Sequence, residues 1–235
     1  MIRTLSFLLL LAQAPTAQES VSEVTGRVKF EGEYKSQLLN SQVDSMKHGA
    51  PLRGDKDVFS EHVVLGSKGE LANVLVRVKG PVKGEFPAPV EPVTIDATDY
   101  QLRPRVSVLR PGQTLVLKNS IYDRFNFEVR TERSSQFNVG IARGESREMK
   151  LKEPEIGIRV QHTCCPWQFA WIHVIEHPFF AVTGADGTFK IKGLPAGTYE
   201  IEAWHEKFGV QTATVTLGAK EVKSADFAFK GAENK

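Results

Sequence analysis

The chain has 235 residues, long enough for two domains that each bury a core. Its 30 Lys and Arg nearly balance 28 Asp and Glu, and the charges are interspersed, which excludes the basic stripe with interleaved aromatics of a nucleic-acid surface. Only two cysteines are present, so the fold is expected to be held by its cores rather than by a disulfide framework.

At the N-terminus Arg3 precedes an apolar run over residues 5–12, and small residues follow at Ala12, Ala14 and Ala17. This is the pattern of a secretory signal peptide over residues 1–17, cut after Ala17. The run is far too short to span a bilayer, and no second long apolar segment follows. No cysteine lies near the cleavage region, so no lipid anchor is implied. The mature chain is expected to be soluble and exported, either periplasmic or extracellular.

Beyond the leader, period-two alternation dominates and no convincing helical period is found. VTGRVKF sets Val28 and Phe30 against Arg27 and Lys29. Residues 31–62, with Gly49, Pro51 and Gly54, show no clean period and read as loop. Val74, Val76 and Val78 then alternate with Leu75, Arg77 and Lys79. The Pro-rich PVKGEFPAPVEP, residues 81–92, reads as a crossing between domains. VSVLRPGQTLVLKN reads as a hairpin around Pro111 and Gly112, followed by a polar, irregular stretch to about residue 146. EMKLKEPEIGIRVQH and FAWIHVIEH are strands again. Near the C-terminus TFKIK, TYEIEAW, TATVTL and DFAF are short strands punctuated by GADG, GLPAG and KFG, the spacing of a β-sandwich.

These segments carry two resemblances. GRVKFEG, NVLVRVKG and AVTGADGTFKIKGLPAGTYEIEAWHEKFG resemble a carboxypeptidase regulatory-like, prealbumin-type sandwich, with roughly a hundred residues between its second and third parts. That gap implies an insertion: residues 22–83 and 179–230 form the split sandwich around residues 84–178. VSVLRPGQTLVLKNS and RVQHTCCPWQFAWIHVIEHP are similar to a cupredoxin, the plastocyanin-like blue-copper fold. The expected fold class is therefore all-β, a cupredoxin-like Greek-key sandwich inserted into a carboxypeptidase regulatory-like β-sandwich.

A blue-copper centre needs a thiolate, two imidazoles and a weak axial donor. Pro166 and Trp167 set the register of the resemblance. The family's Cys position is then His162, its His position is Cys165 and its Met position is Gln168, while the first-loop His falls at or near Phe125 in a loop that contains no His. The pattern is degenerate, and an orthodox blue-copper site is not expected. From the residues themselves, His162 continues the parity of Ile156, Ile158 and Val160 and points inward. Cys164 keeps that parity and Cys165 follows at the bend. His162, Cys165, Cys164 and Gln168 are thus the candidate metal ligands, for Cu(I) or Zn, with Asp123 and Glu128 as oxygen donors in the opposing loop.

Three readings stay open. The loop binds copper or zinc for electron transfer or metal handling, or it is a relic holding no cofactor, with Phe125 plugging the old cavity in a protein- or carbohydrate-contacting module. Alternatively Cys164 and Cys165 form a labile redox pair, strained because adjacent Cα atoms are only about 3.8 Å apart. His173, His177 and His205 read as packed. No P-loop, GxSxG, HExxH or paired-carboxylate setting is found, so no enzymatic activity is expected.

Overall fold

The structure, a computed structural model, describes residues 22–45, 53–163 and 165–231. The expected leader, residues 1–17, lies outside them. Among the described residues no helix is long and apolar enough to cross a membrane.

Strand β1 (Glu23–Glu31) opens the chain, followed by the short helix α1 (Asn40–Asp44) and by β2 (Leu75–Val78). A continuous set of strands then builds the insert: β3 (Val93–Thr98), β4 (Gln101–Arg103), β5 (Val106–Leu109), β6 (Thr114–Asn119), β7 (Arg124–Arg130), β8 (Phe137–Ala142), β9 (Ser146–Lys150), β10 (Glu155–His162) and β11 (Phe169–Val174). The chain closes with β12 (Phe180–Val182), β13 (Thr188–Lys192), β14 (Gly197–His205), β15 (Gly209–Leu217), β16 (Val222–Ser224) and β17 (Phe227–Lys230).

The outer sandwich pairs early with late sequence. One sheet runs β13-β1-β16, with β17 also on β1, and the facing sheet runs β12-β2-β14-β15. β1 takes β13 antiparallel on one side and, on the other, β16 and then β17 in parallel. Its alternation explains this: Val24, Val28 and Phe30 present one apolar face that its own neighbourhood cannot cover. Phe189, Ile191, Phe227 and Phe229 complete it from the same sheet, and Val76, Ile201, Ala203 and Leu217 from the sheet opposite.

The insert has its own core. Its sheets run β4-β3-β6-β9 and β5-β11-β10-β7-β8, with β3 parallel to β6 and β5 parallel to β11. This strand order is a cupredoxin-like Greek-key sandwich. Ile95, Leu102, Leu115 and Leu117 from the first sheet pack on Phe125, Phe127, Val160 and Ile172 from the second.

Four sequence expectations change in the structure. Residues 106–119 form no hairpin: β5 pairs with β11 and β6 with β3 and β9, so the Pro111 and Gly112 turn carries the chain from one sheet to the other. The reason is that Leu109 and Leu115 bury in one core from opposite sheets, which a flat hairpin would prevent. The supposedly irregular stretch to residue 146 contains β7 and β8, antiparallel partners, and Phe125, Phe127 and Val129 supply the alternation that polar neighbours obscured. The expected loop of residues 31–62 includes α1, whose Val43 packs with Leu39 and Val58 on Tyr100 and Trp167. Ile156 departs from the parity of Ile158 and Val160, because a bulge between Glu155 and Ile158 reverses its side, with Gly157 at φ 81°.

The two sandwiches meet through faces that sequence parity alone would assign to solvent. On β11, Ile172 and Val174 serve the insert's core, while Trp171 joins Ile175, Leu75, Trp204, Phe180 and Val182 in a second apolar cluster between the sandwiches. His173 also faces that way, with its ring 4.6 Å from that of Trp204. Beside this cluster Arg105 of the insert pairs bidentately with Glu206 of the outer sandwich, at 2.8 Å from each nitrogen.

Candidate functional site

One end of the insert gathers three of the residues the sequence singled out, His162, Cys165 and Gln168. His162 closes β10 on the side that Ile158 and Val160 turn to the core, opposite Phe127 of β7. It is 6% exposed, and its ring stands edge-on to Phe125 at 4.2 Å. The chain then turns: Gln168 N–H donates to the Cys165 carbonyl and His162 N–H to the Gln168 carbonyl, each at 2.9 Å. Residues 162, 165 and 168 therefore ring one short loop. Cys165 and Gln168 are both buried. Cys164 lies outside the described residues.

The opposing loop is set by Asn119, fully buried at the end of β6. Its Nδ2 donates to the carbonyls of Tyr122 and Ile141 at 2.8 and 2.9 Å, and its Oδ1 accepts from Tyr122 N–H at 3.0 Å. That clamp turns Tyr122 inward and starts β7 with Phe125 fully buried among Tyr122, Phe127 and His162. Gln168 meets the loop: its Nε2 donates to the Tyr122 hydroxyl and, at 3.1 Å, to the Tyr100 carbonyl. Burial pushes the Tyr122 phenol well above its ordinary pKa, and the Gln168 hydrogen bond works against this. The phenol is thus a neutral hydroxyl at any ordinary pH. Gln168 Oε1 is buried and accepts no hydrogen bond. An unmet buried acceptor costs about 1–3 kcal/mol, so this oxygen is a place where a ligand would be welcome.

The oxygen donors expected in the opposing loop face elsewhere. Asp123 is exposed and pairs with Arg143 at 2.5 Å. Glu128 sits opposite Gln161, on the other side of the sheet from His162, and binds Gln161 Nε2 at 2.7 Å and Arg130. Among the described residues no three His, Cys, Asp or Glu side chains cluster as a metal site. Among the described residues, what the end of the sandwich offers is one imidazole, one thiol and one unmet amide oxygen. Tyr100 and Tyr122 were not singled out from the sequence; the only signal for Tyr122 was its place three residues after the strand-ending Asn119.

His173, His177 and His205 are packed. His173 is fully buried and accepts at Nδ1 from Gly157 N–H at 3.1 Å, which places its proton on Nε2, beside the Trp204 ring. Burial, with a smaller contribution from Arg77, lowers its pKa to about 3. His205 stacks on Phe208 at 4.7 Å, and burial lowers its pKa to about 4. His177 accepts from Phe179 N–H at 3.3 Å, and burial lowers its pKa too.

Strand order and core together define the class: an all-β protein with a cupredoxin-like sandwich inserted into a carboxypeptidase regulatory-like one. Residues 169–230 match the carboxypeptidase regulatory-like domain family. No curated protein matches the chain. Among solved structures, a Cu-containing nitrite reductase from Thermus scotoductus is similar at 19% identity and a TM-score of 0.33, over 43% of this chain and 25% of that one. The chain thus matches only a quarter of the reductase's length. A purple cupredoxin from Nitrosopumilus maritimus is similar at 15% identity and a TM-score of 0.31, over 35% of this chain and 99% of its own. Amicyanin from Paracoccus versutus is similar at 13% identity and a TM-score of 0.32, over 43% and 97%.

Proposed function

We propose that this is an exported, non-enzymatic protein whose inserted sandwich binds copper as Cu(I) at the altered loop and serves copper handling. The observation that carries the reading is the buried trio of Cys165, His162 and Gln168 around one turn, with Gln168 Oε1 unmet. A thiolate with an imidazole suits soft, low-coordinate Cu(I), and an amide oxygen is an accepted weak third donor. By the cupredoxin resemblance the second imidazole needed to hold Cu(II) in a trigonal plane falls at or near Phe125, which argues against shuttling between oxidation states and so against electron transfer. Zinc is less well served, since a tetrahedral site wants four good donors and the described residues supply one thiol and one imidazole. Export rests on the leader-like N-terminus.

The test is elemental analysis of the mature protein after dialysis against Cu(I) under reducing conditions. One equivalent of copper in a colourless protein is expected, lost in the His162→Ala, Cys165→Ser double variant. Sub-stoichiometric copper in the wild type, or copper retained by the double variant, overturns the reading. A second reading then stands in its place, a metal-free contact module, favoured by the close packing of Phe125 against His162 and Phe127.

A further inference from the structure

The Gln168 amide is held in one orientation. Its nitrogen has two hydrogens, one given to the Tyr100 carbonyl and one to the Tyr122 hydroxyl. The Tyr100 carbonyl can only accept, so turning the amide over would set oxygen against oxygen. Oε1 is therefore fixed on the opposite side, where it has no partner and no water-exposed surface.

The backbone that supplies this carbonyl is itself unusual. Asp99 and Tyr100 are the central residues of the two-residue turn joining β3 to β4, with φ of 47° and 62°. Two successive left-handed residues are the signature of a hairpin turn that normally takes Asn and Gly. Asp tolerates that region, whereas a bulky aromatic is strained there. The Tyr100 side chain is nevertheless buried, packed with Leu39, Val43, Val58 and Trp167. Packing thus holds a strained residue whose carbonyl reaches Gln168.

We propose that Tyr100 and Tyr122 are positioning residues: together they lock the Gln168 amide so that the unmet, buried Oε1 is held in one orientation as a preset weak donor for Cu(I). This rests on the copper reading above and adds residues to it that no ligand pattern would identify. Neither tyrosine need touch the metal. Their contribution is to remove the amide's rotational freedom before binding, so that the ion does not have to impose it.

Side-chain amide NMR of the 15N-labelled protein tests this without metal. The Gln168 pair, assigned by its loss in Gln168→Leu, should show both protons protected from exchange, and Tyr122→Phe should shift the pair and expose one proton. Competitive Cu(I) titration against a colorimetric chelator supplies the second measurement. Tyr122→Phe and Gln168→Leu should each weaken binding roughly three- to tenfold, the factor an ordinary hydrogen bond is worth. The double variant should be no weaker than Gln168→Leu alone, since the tyrosine acts only through the amide. An unchanged amide pair in Tyr122→Phe, or additive losses, overturns the positioning role while leaving copper binding intact. A wild type that takes up no Cu(I) overturns both, and is told apart by the titration alone. Should Tyr122→Phe not fold, the wild-type Gln168 amide decides: it must shift more on Cu(I) addition than glutamines away from the loop, and an unmoved signal overturns the proposal.

Discussion

His173 shows how burial, rather than residue type, decides what a histidine does. A histidine on a strand near a cysteine pair invites a ligand role, yet its ring is shut between Gly157 N–H and the Trp204 face. Burial is what lowers its pKa to about 3 from an ordinary 6.5, and burial likewise lowers His205 to about 4. Both rings are neutral in the folded protein and take up protons readily once unfolded. Between about pH 6.5 and the folded values the unfolded state therefore binds more protons, and stability falls as pH falls. Each group contributes a slope of up to about 1.4 kcal/mol per pH unit. Denaturant titrations from pH 7 to pH 4 should show this decline, and His173→Phe should make it shallower. A flat profile in the wild type would show that the rings are not held neutral by burial.

At the scale of elements, the bulge in β10 links three features. It sends Ile156 toward the cluster between the sandwiches, while Ile158 and Val160 stay in the insert's core and His162 keeps their side. Its Gly157 sits at φ 81° and gives its N–H to His173. A Cβ at this position would meet nothing within 4 Å, so the cost of Gly157→Ala is backbone strain alone, about 1–2 kcal/mol. Equilibrium unfolding should show a loss of that size; under the copper proposal, Cu(I) affinity should change little because residues 158–162 keep their register. A larger affinity loss than stability loss would mean that the bulge governs the loop directly. The alternation in RFNFEVR made β7 legible in principle, but its charged outward residues resemble a loop when read singly. The hairpin expected at Pro111 and Gly112 failed for another reason: two apolar strands joined by a turn look alike whether they pair edge to edge or face each other across a core.

Across the whole molecule, Glu206 joins the two sandwiches. Its side chain is 4% exposed and takes both Arg105 nitrogens at 2.8 Å, Trp171 Nε1 at 3.1 Å and His62 Nδ1 at 3.3 Å. Burial alone would raise its pKa, but the hydrogen bonds from His62 and Arg105 and the Arg105 charge outweigh this and hold it at about 2. Its stabilising contribution is complete above the ordinary carboxylate value and is lost as pH falls toward 2. Arg105 also stacks on Phe169 at 3.6 Å, with Arg159 4.2 Å from the same ring, so the junction lies directly behind the candidate loop. Glu206→Gln leaves the Arg105 guanidinium buried without a countercharge, a change that typically costs about 3–5 kcal/mol. Calorimetry should show one unfolding transition in the wild type and two in Glu206→Gln, as the insert and the outer sandwich melt apart. A single transition at an unchanged temperature would place the coupling in the apolar cluster alone.

The sequence by itself determined the all-β class, through period-two alternation and its Gly and Pro punctuation, and both sandwich resemblances, through motifs short enough to read locally. It also determined that the first-loop imidazole is missing and that His162 points inward, because parity along a strand is a local property. Only the tertiary structure decided what lies opposite. Phe125 against His162, the strained Tyr100 carbonyl against Gln168, and Glu206 against Arg105 join residues 37, 68 and 101 positions apart in the chain. No periodicity encodes such pairings. They follow from which sheet each strand enters, and that is settled by the apolar faces each strand must bury after the whole chain has assembled.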